Sequence, residues 1–210
     1  KSFGLMDELK VTQILKNDLG FSNSSIEKIK KFNNNLLEYN KSYNLISKST
    51  ENNIWYRHIL DSAQIVKFID FSKHNILADF GSGAGFPGLI LALYDGNSSF
   101  HVKLYEKSSV KRDFLKNLRT DLKINNITIE NNVYEKEIIA DVILCRAFKK
   151  LDEILRISRE IVKKPHKLII LKGKNAQSEI NNVSLDSNYS YKLEKSITDD
   201  YSKIIIVEVK

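Results

Sequence analysis

The chain has 210 residues, a formal net charge of +7 and 42% hydrophobic residues, which suits one α/β domain with an appendage and a core of its own. Its one cysteine, Cys145, excludes an internal disulfide and a cysteine-built zinc site, and with neither a membrane-length apolar run nor a signal-peptide pattern a cytoplasmic protein is expected. The basic balance favours a polyanionic partner, nucleic acid first.

The first third reads as helices. Leu5, Leu9, Thr12, Leu15 and Leu19 recur at helical spacing over 3–20, with Gly20 as the stop. Ser22 or Ser24 can cap a second helix, and Glu27 would complete a capping box with Ser24. Its buried stripe is expected at Ile26, Ile29, Phe32, Leu36 and Tyr39, and Tyr43-Asn44-Leu45-Ile46-Ser47 closes it. Ser49-Thr50-Glu51 opens a third helix carrying Ile54, Trp55, His58, Ile59, Ile65 and Val66. Residues 1–70 are therefore expected to form a helical subdomain ahead of a sheet domain over 71–210.

From residue 76 strand and helix alternate. Strands are expected at Ile76–Phe80, 100–105, Ile127–Glu130, Val142–Cys145 and Leu168–Leu171. Helices are expected at 86–95, at 108–123 with Val110, Phe114, Leu115 and Leu118 inward, and at 151–163. The end differs. Residues 189–197 and 203–209 both have strand character, and Asp199-Asp200 between them predicts a terminal antiparallel hairpin.

The strand at 76–80 runs straight into Gly81-Ser82-Gly83-Ala84-Gly85-Phe86-Pro87-Gly88 and then a helix. Strand, glycine-rich turn and helix build a nucleotide-cofactor site, because glycines let the backbone approach a ligand and the helix start offers unpaired N–H groups. Gly83-x-Gly85-x-x-Gly88 has dinucleotide spacing, whereas Gly81-x-Gly83-x-Gly85 after Asp79 fits S-adenosylmethionine. Asp79, at the strand end, could hold loop amides or approach a cationic ligand, which favours the methyl donor, as does a sheet ending in a hairpin. Glu106 stands at the end of the second strand, where a carboxylate can accept from both ribose hydroxyls.

Polar residues gather elsewhere too. Arg57-His58-Ile59-Leu60-Asp61-Ser62 pairs Arg57 with Asp61 and His58 with Ser62 at a spacing of four. Arg146 follows the fourth strand and Lys172 the fifth, so both stand at the carboxyl rim where parallel sheets bind ligands. Lys111 and Arg112 open the helix after Glu106, and together these make a basic rim suited to phosphates. No set of side chains has metal-ligand spacing, so no metal is expected.

These blocks, together with Asp79–Gly88, Lys111-Arg112-Asp113-Phe114-Leu115, Arg146-Ala147-Phe148 and Leu171-Lys172-Gly173, resemble the glucose-inhibited division protein B family over nearly the whole chain. That family comprises bacterial methyltransferases acting on guanine N7 of 16S ribosomal RNA. The resemblance implies an α/β fold of the Rossmann-like class I S-adenosylmethionine-dependent type, with a seven-stranded, mostly parallel sheet. It implies 16S ribosomal RNA, in the small subunit or an assembly intermediate, as partner, and a monomer. It puts Gly81, Gly83, Gly85, Phe86, Glu106 and Arg146 at S-adenosylmethionine, with the adenine-side pair on Val133-Tyr134. The family has a small residue and Glu there, so Tyr134 departs from the pattern and Glu135 stands one place along. Arg57, Lys111, Arg112 and Lys172 fall on the RNA side. Arg146, then His58 and Asp61, are the candidate catalytic residues. Guanine N7 carries a lone pair and no proton, so the reaction calls for placement rather than a general base.

Overall fold

Seven strands are present: β1 (Ile76–Phe80), β2 (His101–Tyr105), β3 (Ile127–Glu130), β4 (Val142–Arg146), β5 (His166–Lys172), β6 (Tyr189–Lys195) and β7 (Lys203–Val209). In the computed structural model, which describes residues 2–94, 99–135, 137–183 and 186–210, they form one sheet in the order β3-β2-β1-β4-β5-β7-β6. The side chains of residues 2–6 and of Glu135 lie outside that description. β1 to β5 are parallel, and β7 inserts antiparallel between β5 and β6. The predicted terminal hairpin is thus present. The chain switches direction across the sheet between β1 and β4, which are hydrogen-bonded neighbours, and parallel sheets open a ligand crevice at that point.

β1 and β4 are buried almost throughout because each strand lies inside the sheet with both faces covered. One face packs α5 (Gly88–Ala92), α6 (Ser109–Asp121) and the helices that precede the sheet, and Leu77, Leu104, Phe114 and Phe32 share that apolar cluster. The other face packs α7 (Leu151–Ile161) and α8 (Ala176–Asn181) through Phe80, Ile143, Ile154 and Ile180. The sequence reading has no counterpart for α8.

Several expected details differ. In α1 (Ser2–Asn17) the core side chains are Val11 and Leu15, whereas Leu9 is 57% exposed. Leu9 and Leu15 are six residues apart, about 240° around a helix, so they do not share a face. Leu5 lies outside the described side chains. α2 (Asn23–Asn40) is capped by Ser22, whose hydroxyl accepts from the Ser25 amide at 3.0 Å, and the Ser24–Glu27 box does not form because Ser24 is already inside the helix. Glu27 pairs with Lys30 instead. Val110, expected inward on α6, is 42% exposed.

The third helix is the largest departure. It divides into α3 (Lys48–Glu51), a π-helical turn at Trp55–Leu60, α4 (Asp61–Ala63) and a 3-10 stretch at Gln64–Phe68. Trp55, His58, Ile59 and Leu60 are all buried in the π turn. A regular helix would already put Trp55, His58 and Ile59 on one face; the widened turn buries Leu60 with them. The helix expected over 86–95 is shorter, and its last residue, Asp95, lies outside the described residues.

Candidate active site

The glycine loop leaves β1 and is pinned by its own amides. Gly81 and Ser82 both donate to the Tyr105 carbonyl of β2 at 2.9 Å, and Gly85 donates to the Ser82 carbonyl at 2.8 Å. Gly81 has φ +77°, and a Cβ there would stand 3.0 Å from the Phe148 ring. A side chain at this position would be both strained and blocked. Phe148 reaches that place because Ala147 adopts φ +49°, a left-handed conformation costing a non-glycine residue about 1–2 kcal/mol. Such strain persists only where the surroundings over-determine it, and functional sites are where it gathers.

Two carboxylates hold the loop from behind. Glu106 is buried, with Oε2 accepting from the Gly83 amide at 2.7 Å and Oε1 from the Ser108 amide at 3.0 Å. Each oxygen keeps a lone pair for a further donor. Asp79 is fully buried, and its Oδ2 accepts from the Gly88 amide at 2.9 Å. The helix-start amide that could have faced a ligand is therefore taken by the protein itself. Burial pushes the Asp79 carboxyl up to about 7 against the pull of that amide. A Cβ on Gly88 would lie 2.5 Å from Leu104 and 2.6 Å from Asp79 Oδ2, so only glycine fits.

The resulting cleft of about 520 Å³ is lined by Gly81, Gly83, Phe86, Glu106, Val133, Tyr134 and Arg146 among the expected cofactor residues, with His58 and Lys111 also on its wall. Gly85 shapes the turn without lining the cleft. Val133 is buried and Tyr134 is 52% exposed at the edge.

Arg146, the last residue of β4, forms the opposite wall. Its Nη2 is hydrogen-bonded to His58 Nδ1, its Nε lies 3.7 Å from Asp61 Oδ2, and its guanidinium carbon sits 5.5 Å from the centre of the Phe86 ring. Nη1 is buried with no hydrogen-bond partner. His58 stacks on the same ring at 4.9 Å and meets Thr50 Oγ1 through Nε2 at 3.0 Å. Burial, then Arg146 and Arg57, lower its pKa to about 3. His58 is thus neutral near pH 7, accepts from Arg146 at Nδ1 and donates from Nε2. It can neither release nor take a proton without breaking one of those bonds.

Asp61 is tied further back. Its Oδ1 accepts from Gln64 Nε2 at 3.0 Å and from the Thr198 hydroxyl at 3.3 Å. Gln64, fully buried, also donates to Ser196 Oγ at 3.0 Å and accepts from the Ile197 amide at 2.9 Å. Burial raises the pKa of Asp61, and Arg146 opposes the rise. In the sequence Thr50 reads only as part of a helix start, and Gln64, Ser196 and Thr198 are not singled out. Gln64 carried a signal, being polar between Ala63 and Ile65 in an apolar run.

The remaining expected RNA residues divide. Arg57 is exposed and lines a second cavity with His58, Asp61 and Arg146. Lys111 stands at the cleft. Arg112, by contrast, donates to the Glu106 and Lys107 carbonyls and to Asn131 Oδ1, at 3.0, 2.7 and 2.9 Å, and so ties the start of α6 to the turn after β3. Lys172 pairs with Glu179 at 3.1 Å and donates to the Lys149 carbonyl at 2.8 Å. Among the described residues no three His, Cys, Asp or Glu side chains converge as a metal site, and no helix is long and apolar enough to cross a membrane.

The site fits S-adenosylmethionine on its own terms: a paired but unsaturated carboxylate at Glu106, a bare-backbone loop at Gly81, and an unpartnered buried donor at Arg146.

Residues 25–203 match the model of the GidB family, described as rRNA small subunit methyltransferase G. The chain is 36% identical over 178 residues to the ribosomal RNA small subunit methyltransferase G of Pelagibacter ubique, covering 82% of this chain and 83% of that protein. It is 39% identical over 183 residues to the protein of the same name from Rickettsia felis, covering 87% and 92%. Among solved structures, a SAM dependent methyltransferase from Aquifex aeolicus has the same fold, with TM-score 0.58 over 72% of this chain and 91% of that one, at 14% identity.

Proposed function

The chain belongs to the GidB family, rRNA small subunit methyltransferase G, and from that premise we propose that it uses S-adenosyl-L-methionine to methylate N7 of a guanine in 16S ribosomal RNA, in the small subunit or a precursor of it. The observation that carries this reading is Arg146. It is held by His58 and Asp61 against Phe86, with one buried nitrogen unpartnered, in the wall of the cleft behind the glycine loop. That is a site built to place reactants and not to relay protons.

Guanine N7 has a free lone pair, so no base has to take a proton from it. S-adenosylmethionine, when bound, supplies an electrophilic methyl group on a sulfonium. Glu106 is positioned to accept from hydroxyls of the bound nucleoside, the Gly81–Gly83 backbone to lie against it, and Arg146 Nη1 to donate to an anionic or carbonyl oxygen. His58 and Asp61 are positioning residues, acting through the guanidinium they hold. Holding two reactants in line at about 3–3.5 Å can supply most of the rate for an already activated donor.

The test is transfer of labelled methyl from S-adenosylmethionine to small ribosomal subunits, and to naked 16S ribosomal RNA, from cells lacking the modification. The label is expected in N7-methylguanine at one position. Label in another base, or none in either substrate, overturns the reading.

A further inference from the structure

The cavity beyond Arg146 measures about 610 Å³ and lies between the π turn and the loop that joins β6 to β7. It shares His58 and Arg146 with the cofactor cleft and no other residue. His58 and Arg146 therefore stand where the two chambers meet, one behind the glycine loop and one lined by polar groups. A methyl acceptor must approach Arg146 from the side the donor does not occupy.

The polar lining is unusual for a protein that binds a polyanion. Asp61 and Asp199 both face the second cavity. Asp199 accepts from the Tyr201 amide at 2.7 Å and from the Ser202 hydroxyl at 3.3 Å, and these bonds, that of the amide foremost, hold its pKa below the ordinary carboxylate value. Asn53, on the opposite wall, has a buried Oδ1 with no hydrogen-bond partner. Carboxylates repel phosphate, so this lining suits a base edge and not the sugar–phosphate backbone. Arg57 is the exposed cation beside it, where the backbone would run.

We infer that this cavity receives the acceptor guanine, with N7 turned toward the junction of the two chambers beside Arg146 and His58, and the N1–H and N2–H donors of its far edge read by Asn53 Oδ1 and Asp199 respectively. The inference rests on the proposed guanine-N7 activity and adds the chamber and the specificity residues. Adenine has a bare acceptor at N1 and no amino group at C2. Adenine would bring no donor to this wall and would leave the buried Asn53 Oδ1 unpaired, and leaving a buried polar group unpaired discriminates between substrates. The volume is ample for a purine, and a base reaches such a chamber only when it is single-stranded or flipped out of its stack.

The experiment compares wild-type protein with Asn53→Ala and Asp199→Asn on undermethylated small subunits. Asp199→Asn keeps an oxygen for the Tyr201 amide and removes the charge. Each variant is expected to lose roughly tenfold or more in kcat/KM for the RNA substrate, while the KM for S-adenosylmethionine stays unchanged, since neither residue lines the cofactor cleft. Subunits reconstituted with inosine at the methylated position, which lack the N2 amino group, should be poor substrates for wild type. Asp199→Asn, which alters the reader of N2–H, should distinguish them from guanine less well than wild type does, whereas Asn53→Ala should still do so. Variants that keep wild-type kcat/KM, or an Asp199→Asn protein that rejects inosine as strongly as wild type does, overturn the assignment of the cavity while leaving the methyltransferase reading intact. A wild-type protein that labels no guanine brings down both.

Discussion

The two chambers that meet at Arg146 are built by different means. Behind the glycine loop the contacts run from carboxylate to main chain: Asp79 to the Gly88 amide, Glu106 to the Gly83 and Ser108 amides. Beyond Arg146 they run from side chain to side chain, from His58 and Asp61 through Gln64 to Ser196 and Thr198. The first chamber needs glycines and an acid at fixed places and little else. The second depends on every member of a buried set, because removing one leaves others unsatisfied in a low-dielectric interior. On the proposed reading, donor binding rests on a backbone device and acceptor placement on a network of side chains.

The largest effect expected in the first chamber is on stability against pH. The folded pKa of Asp79, about 7, lies above its unfolded value of 3.8. The folded chain therefore keeps a proton that the unfolded chain releases. The associated stability is complete below the unfolded value and is lost as pH rises through the folded one. Asp79→Asn retains an oxygen for the Gly88 amide and has no proton to lose. In urea denaturation between about pH 4 and pH 8, wild type should lose on the order of 4 kcal/mol relative to the variant. Equal slopes would mean that the hook behind the loop is not a buried carboxyl at all.

A smaller effect is expected in the second chamber. Gln64→Ala strands the Ile197 amide and loosens Asp61 and Ser196, which should lower stability by about 2 kcal/mol with no change in S-adenosylmethionine affinity by calorimetry. A parallel fall in cofactor affinity would show that the chambers act as one unit and would break the comparison.

The smallest effect separates two lysines at the rim. Lys111 makes no ion pair with a described residue, so Lys111→Ala should reduce the salt dependence of RNA binding by about one counterion and weaken it by less than about 1 kcal/mol. Lys172→Ala should leave the salt slope unchanged and lower stability, because its ammonium is already spent on Glu179 and the Lys149 carbonyl. Filter binding across salt concentrations distinguishes the two.

The same division governs what could be read before the structure. The glycine loop, Glu106 at its strand end and the succession of strands and helices were legible because turn chemistry and strand alternation are local. The terminal hairpin followed from two segments of strand character on either side of Asp199-Asp200. The second chamber was legible only in fragments. His58 and Asp61 stood out as polar residues in an amphipathic run, yet their partners Arg146 and Thr198 are remote in sequence, and spacing says nothing about such pairs. A helix period of 3.6 puts His58 on the face of Trp55 and Ile59 but hides the π turn that buries Leu60 with them. Lys172 and Arg112 show the opposite failure. A basic residue at a sheet rim looks ready for phosphate until the structure shows which carbonyls it already serves.

The hairpin has one more consequence, in the order of synthesis. Ser196, Thr198, Asp199 and Ser202 lie in the connection between β6 and β7, and β7 is the strand that seals β5. The glycine loop, Glu106 and Arg146 all leave the ribosome well before them. The chain therefore carries the parts of its donor site first and completes the acceptor wall last, when the segment that closes the sheet arrives. Contacts of such long sequence separation are the slow ones to form. A growing chain accordingly has no finished pocket for a base while it is still tethered among ribosomal RNA.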